Sequence, residues 1–456
     1  MIQQILIGLA LLIGAGGCLF NPFIGMLTLM GVNVIQPGEL YPVFSALHTE
    51  RVMALLVLVV VLVRGVKFAF PKPTRWCLMV YAAALASIPL AFWISNAVTN
   101  AIDFAKVIIL SVLLVTLANT RARLQAVLAT FSVLVTYLAV SSLISYFQGN
   151  FQFRMGVDRL VGLTSASNDP NELGLTLVTA LPLMYLLTQK PVGAMWRWAM
   201  RAMLALCVWA LLLTGSRGSV LTLVMVLAVA ALASRRRWRI VPAALVAGVV
   251  VWSFLPAQYK VRYESVNDLQ NDMSYQNRVT SWRGGWHMFL SNPVTGIGIG
   301  DYTVANGAKF WPAPGRKIYL NAHSLYFQTL GELGLVGVFA FGGFLVVLFR
   351  SNAELRREMA AHPDVPAWMR YYPLACNLSL LGLLYNGYAS HDLYRNTWYF
   401  LAATTGALLL IRQKELAAEP APGSDLEPAA EARMADLAPP SGRRTSAAAL
   451  DWSVQP

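Results

Sequence analysis

Long, nearly uncharged apolar stretches recur along almost the whole chain, and they constrain its fold more than any motif does. They fall at about 2–19, 22–36, 50–66, 76–94, 102–119, 123–147, 171–188, 196–213, 217–233, 238–255, 324–349, 371–390 and 394–412. A hydrocarbon core about 30 Å thick takes about 20 helical residues to cross. Inside it only helices and closed barrels satisfy their own backbone polar groups. The stretches therefore predict an all-α, polytopic integral membrane protein with about twelve transmembrane helices. Composition agrees and excludes a water-soluble globule: 57% of the 456 residues are hydrophobic and 12% charged, where soluble domains carry about 25% charge. The first two stretches meet at Asn21-Pro22 and read as two short spans, a re-entrant pair or one broken helix. A cleaved signal peptide is not expected, because Met1-Ile2-Gln3-Gln4 holds no basic residue and the apolar pattern continues directly into further spans.

The formal charge of +13 would suggest nucleic acid in a soluble chain. Here it sorts by loop, and no nucleic-acid partner is expected. One alternating set is rich in Lys and Arg: Arg64 to Arg75, Arg121 and Arg123, Lys190 to Arg201, Arg235 to Arg239, Arg350 to Arg370, and Arg412 with Lys414. The positive-inside tendency places that set in the cytoplasm. The opposite set, 37–50, 95–101, 148–170, 214–217, 256–323 and 391–395, is then extracytoplasmic. The organisation expected is a membrane domain over 1–412, with a large outer loop at 256–323, followed by a disordered cytoplasmic tail over 413–456. From Glu415 onward seven acids face three bases, so setting aside the tail's −4 leaves +17 on the rest. Cys18, Cys77, Cys207 and Cys376 sit within or beside apolar stretches without paired spacing, which indicates neither a disulfide framework nor a zinc site.

Chemistry-bearing residues gather in the outer set. Loop 256–323 has seven bases and four acids, a balance that suits a bound anion better than a solvated loop long enough to escape the charge rule. Within it Arg278, Trp282 and Trp286 stand at i, i+4 and i+8, on one face of an amphipathic helix. A Trp face suits the membrane interface, and Arg278 beside it, next to Asn277, suits a phosphate at headgroup depth. Gly296, Gly298 and Gly300 follow no strand, so they are read as a tight turn and not as a nucleotide loop. Asn321 is the expected cap of the next span. His323, at that helix's N-terminus, should be held mostly neutral by the helix dipole and able to take a proton.

Thr214-Gly215-Ser216-Arg217-Gly218-Ser219 puts an arginine at the outer end of a span among small residues, either a site or a snorkelling side chain. Segment 148–171 adds Arg154 and Arg159, and Asn168-Asp169-Pro170-Asn171 reads as a helix start with proline at its first position. Lys106 lies one turn from Asp103 and could pair with it. His391-Asp392-Leu393-Tyr394-Arg395-Asn396 forms a dense polar cluster in a short outer turn.

In this order, these residues resemble the bacterial O-antigen ligase and polymerase superfamily. The resemblance rests on Ser216-Arg217-Gly218, on Asn277-Arg278 with Trp282 leading to Asn292-Pro293-Val294-Thr295-Gly296-Ile297-Gly298, and on Ala322-His323-Ser324 with Gly331-Glu332-Leu333-Gly334. The Asn168–Asn171 segment and His391-Asp392 look most like the subgroup described as exosortase-associated O-glycosylation ligases. The resemblance implies a GT-C-like enzyme of the bacterial inner membrane. It would move a glycan from undecaprenyl diphosphate to an acceptor hydroxyl on lipid A-core, a protein or another lipid-linked glycan, at the periplasmic face, with no cofactor, metal or nucleotide sugar. On that reading Arg217 and Arg278 stabilise the leaving diphosphate and His323 is base or orienting acceptor. Arg159, Arg154, Lys106, Trp282, Asn277, His391, Asp392 and Arg395 contact substrate. A transporter of the same lipid-linked glycans would instead spread ionisable residues through the bundle. A non-catalytic scaffold would leave the Arg and His set without a role.

Overall fold

The computed structural model describes residues 2–154, 156–164, 168–189, 193–234, 237–264, 273–310, 318–362 and 364–418. The expected tail beyond 418 lies outside the described residues. The described chain is helical apart from one two-stranded hairpin. In order it runs α1 (Ile2–Phe20), α2 (Pro22–Ile35), α3 (Pro37–Leu40), α4 (Pro42–Ala46), α5 (Thr49–Val63), α6 (Lys72–Ala86), α7 (Ile94–Leu117) and α8 (Arg121–Phe147). Strands β1 (Gln152–Arg154) and β2 (Val157–Arg159) follow, then α9 (Pro170–Leu187), α10 (Ala194–Leu213), α11 (Arg217–Ala233) and α12 (Arg237–Phe254). The stretch that the sequence makes the large loop holds α13 (Ala257–Glu264), α14 (Met273–Ser291) and α15 (Tyr302–Ala305), the last continuing into a π turn. The chain closes with α16 (Leu325–Ala361), α17 (Ala367–Asn386) and α18 (Asn396–Ala418).

Among the described residues, five helices are long and apolar enough to cross a bilayer: α1, α7, α8, α10 and α16; α2 and α11 are shorter apolar helices. The chain is an all-α, multi-pass membrane protein. Two compact units divide it, Met1–Ile411 and Arg412–Pro456. In the second, Arg412 donates to Glu415 at 2.5 Å.

The N-terminal pair resolves into two helices. Asn21 ends α1 and caps α2, its side chain accepting from the Phe23 amide at 3.1 Å, with Pro22 at the first helical position. Small residues let the two helices pack closely. A Cβ at Gly25 would strike Cys18, and one at Gly14 would strike Thr28. At the centre of the bundle Phe104 of α7 lies edge-on to Tyr399 of α18 at 5.1 Å, and Trp398 meets Phe341 of α16 at 5.2 Å. Aromatic pairs of this geometry fix the side chains that share them.

The feature that organises the functional end is a break in α16. Gly334 has φ 60 and ψ −154 inside the helix, a backbone region essentially confined to glycine. The break severs the two bonds that the Leu335 and Val336 amides would make to the Gly331 and Glu332 carbonyls. Segment 293–298 replaces both. Leu335 and Val336 donate to the Pro293 and Val294 carbonyls at 2.8 and 3.0 Å, while Ile297 and Gly298 donate to Gly331 and Glu332 at 2.9 and 3.1 Å. Gly296 sits so close to Glu332 that a side chain there would strike the helix backbone. The three glycines take the positive φ that the expected turn requires, 69, 109 and 73, and the turn is buried. Ile297 is 1% exposed and Ile299 0%, because the segment is laid into the broken helix where its backbone groups are required.

Replacing Gly334 by Ala forces a side chain into this backbone region and against the Val294 backbone. It should cost at least about 1–3 kcal/mol and visibly lower the thermal midpoint of the purified protein. Gly342→Ala, where nothing stands within 4 Å of the new Cβ, should leave the midpoint unchanged or slightly raised.

Candidate active site

The same segment is fastened on its other side to the start of α7. Trp93 donates its amide to Asp301 at 2.7 Å, Asn96 donates to the same carboxylate at 2.8 Å, and the Ile299 amide donates to Ser87 at 3.0 Å. Segments 87–100 and 292–301, at outer positions in the sequence reading, thus meet at one end of the bundle. From this base α14 lies along α16. Gly284 and Gly285 admit Asn306 and Tyr302. Tyr302 donates to the Ser281 carbonyl at 2.7 Å, and Ser281 donates to the Asn321 carbonyl at 2.8 Å.

This chain of bonds sets His323. It has φ 45, a left-handed conformation uncommon outside glycine, and its carbonyl accepts from the Trp282 indole at 3.4 Å. Trp282 is turned inward, stacked on Phe327 at 5.8 Å and edge-on to Tyr388 at 4.9 Å, while Trp286 is 46% exposed. Asn277 and Arg278 are half-buried about one turn before Trp282 on α14. Asn321 is not the cap: Ser324 holds that position without a side-chain bond, and the Asn321 amide oxygen instead accepts from Thr303.

His323 is lowered from 6.5 to about 4, first by burial, then by His391 and by the positive charges of Arg278 and Arg154, with Asp169 opposing. It is therefore neutral, as the sequence predicts, with burial as the largest cause. The two imidazoles meet edge to face, centroids 5.5 Å apart.

Arg217 is the first residue of α11 and half-buried; Ser216 caps the helix, accepting from the Ser219 amide. Gly215, at φ 59, makes the turn before it. Arg159 is 2% exposed and braces that turn, donating to the Thr214 carbonyl at 2.8 Å and to Asn171 at 3.0 Å. Its guanidinium is already bonded within the protein, whereas Arg154, across the hairpin, is exposed. Asp169 caps α9 with Pro170 at its first position, the helix start the sequence implies. Lys106 pairs with Asp103 at 2.6 Å.

His391, Asp392 and Arg395 lie in the short connection before α18, pinned from below by Trp398 and Tyr399, which donate to the Asp392 and Leu393 carbonyls, each at 3.0 Å. Arg395 forms an ion pair with Glu172 and donates to Thr176 at 2.8 Å. Ser390 donates to the same Glu172 carboxylate at 3.0 Å. Asp392 is 4% exposed, and neither of its carboxylate oxygens has a hydrogen-bond partner. Burial raises it from 3.8 to about 7.

These three residues border a cavity of about 660 Å³, together with Glu172, Gln328 and Glu332. His323, Arg217, Arg278, Trp282 and Arg159 stand outside it, and the His391–His323 contact joins the two places. Glu172 and Glu332 went unnoticed as single residues in the sequence reading. An acid inside an apolar helix was the available signal, and Glu332 is 2% exposed, accepting from Tyr394 at 2.7 Å.

Residues 202–342 match the family model described as O-antigen ligase. The match covers about a third of the chain, and over this segment the chain is similar to that family. The segment contains Arg217, Asn277, Arg278, Trp282 and His323, together with the α16 break, and it ends before the His391–Arg395 connection. No curated protein sequence matches the chain. Among solved structures, a similar chain comes from work described as "Structural coordination of polymerization and crosslinking by a peptidoglycan synthase complex". The two share 18% identity, with a TM-score of 0.42, over 76% of this chain and 98% of that one.

The buried Asp392 gives a pH signature with a definite sign. Between pH 4 and 7 the unfolded chain releases this proton and the folded protein keeps it, so ionisation costs stability as pH rises through that window. Asp392→Asn should therefore gain stability relative to the parent from pH 4 to 7, by a few kcal/mol at most, and show a constant difference above pH 7. Thermal unfolding across that range checks it.

Proposed function

We propose that the protein is a glycosyltransferase of the ligase type, moving a glycan from undecaprenyl diphosphate to an acceptor hydroxyl at the periplasmic face of the bacterial inner membrane. About twelve spans in a GT-C-like arrangement carry the site. The observation that carries the reading is the environment of His323, a neutral imidazole in a strained backbone position, under the positive field of Arg278 and Arg154. Arg217, Arg278 and His323 all lie within the segment similar to the O-antigen ligase family.

In the reaction the acceptor oxygen attacks the anomeric carbon, and the bond from that carbon to the diphosphate oxygen breaks. The electron pair leaves with the diphosphate. Arg217 and Arg278 offer planar donor forks suited to that charge, in a half-buried setting where such bonds count for more than in water. The hydroxyl proton passes to His323. An imidazole lowered to about 4 is a weak base, but part of that lowering comes from Arg278 and Arg154, whose field a bound diphosphate offsets. The donor thus makes the base stronger on arrival. The gathering of candidates at one end of the bundle favours transfer over transport, which would spread ionisable residues along a path through the bundle.

Purified protein given undecaprenyl-diphosphate-linked glycan and lipid A-core, with EDTA present, should form product. His323→Ala should lose on the order of 10²–10⁴ in kcat, and Arg217→Ala or Arg278→Ala on the order of 10²–10³. Glycan found on protein, or added to lipid-linked glycan, would keep the chemistry and move the acceptor. Absence of transfer to any acceptor would overturn the reading in favour of transport.

The acid limb of kcat/KM for donor, which reports the free enzyme, should lie near pH 4. That of kcat should lie higher, because the diphosphate is then bound. Identical limbs would remove the donor's role in tuning His323.

A further inference from the structure

The cavity beside the site has two ends of opposite character. Its inner end lies between α2, α7, α8 and α18 and is lined by side chains such as Val107, Leu110, Leu114, Leu134, Leu138 and Phe400. Along α7 the lining runs from Asn100 to Leu114, about 21 Å at the helical rise. Its outer end carries Asp103, Glu172, Glu332 and Asp392 against the single guanidinium of Arg395, and Arg395 is already paired with Glu172. The volume falls within the range of small-molecule sites, about 300–1,000 Å³.

With Glu172 paired to Arg395 and Asp103 to Lys106, such an outer end offers a diphosphate no unpaired cation among its described lining residues. Carboxylates and amide side chains instead suit hydroxyl groups, which donate to the former and exchange bonds with the latter. Asp392 adds an independent sign, since both of its oxygens are buried and unpartnered, a costly state that a ligand donor would relieve. We infer that this cavity binds a lipid with an uncharged, hydroxyl-rich head and an apolar chain, at a place separate from the arginines assigned to the donor diphosphate.

Within the proposed reaction, on which this part of the inference rests, that lipid is the acceptor. Its head lies at Asp392 and Gln328, its chain runs between α7 and α8, and His391 separates it from His323. The acceptor and donor would then approach the imidazole from different sides, one through an acidic mouth and one past the arginines.

The test uses the full chain in nanodiscs and an alkyl maltoside carrying a diazirine in its chain. Photolabelling should concentrate on the α7 and α8 faces that line the cavity. It should fall at least tenfold in a Leu110→Trp/Leu134→Trp variant and be undisturbed by excess undecaprenyl diphosphate. Val107→Phe, a milder filling of the same space, should reduce it in the same direction if the double variant fails to fold. Displacement of the label by undecaprenyl diphosphate, or label spread evenly over the lipid-facing helices, overturns the inference.

In the transfer assay the filled variants should raise the KM for a lipid acceptor about tenfold and leave that for the donor within twofold. The reverse pattern also overturns it. If the parent protein transfers nothing, the enzymatic reading fails, while the labelling pattern still decides whether the cavity takes such a lipid.

Discussion

A backbone that breaks inside an apolar helix must find new partners for every group the break releases, and in this protein that requirement fixes the geometry of the whole functional end. Gly334 interrupts α16, and segment 293–298 takes over both amides and both carbonyls set free. Because unsatisfied groups in hydrocarbon cost several kcal/mol each, the segment is held as firmly as a helical turn. Its far side is tied through Asp301, Ser87 and Asn96 to the start of α7. Three parts of the chain far apart in sequence are thereby locked together. His323, at the head of the interrupted helix, inherits its position from that lock.

Burial is the second controlling term. It keeps His323 neutral and raises Asp392 into the neutral range, while pairing handles the charges that remain, Arg395 with Glu172 and Arg159 with the Thr214 carbonyl and Asn171. Among these groups Asp392 alone has carboxylate oxygens both buried and unbonded. The polar end of the bundle is thus largely satisfied internally, and its unmet demand is concentrated at the cavity mouth.

Much of this was legible in the sequence because apolar runs and helix signals are local. Asp169-Pro170 announced a helix start, and the spacing of Lys106 from Asp103 anticipated their pair. What was missed depends on contacts between distant segments. Nothing near Gly296, Gly298 and Gly300 reveals that a broken helix nearly forty residues later needs their backbone. Asn321 has the residue type of a cap, but the competing demand of Thr303 for its side chain is a tertiary fact. Arg159 has the chemistry of a phosphate ligand, and the fold adds that it also braces the turn before Arg217.

The order in which the chain is made gives the broken helix a further consequence. Residues 87–100 and then 293–298 emerge before Gly331, so every partner that the break in α16 requires has been synthesised before the break itself. A nascent chain extends at about 5–20 residues per second, and the stretch from Gly298 to Gly334 therefore takes a few seconds, ample for the earlier segment to settle against α7. The amides and carbonyls freed at Gly334 thus have partners that are already made when they emerge. Biogenesis in this protein is built into the sequence order of its loops as much as into the hydrophobicity of its spans.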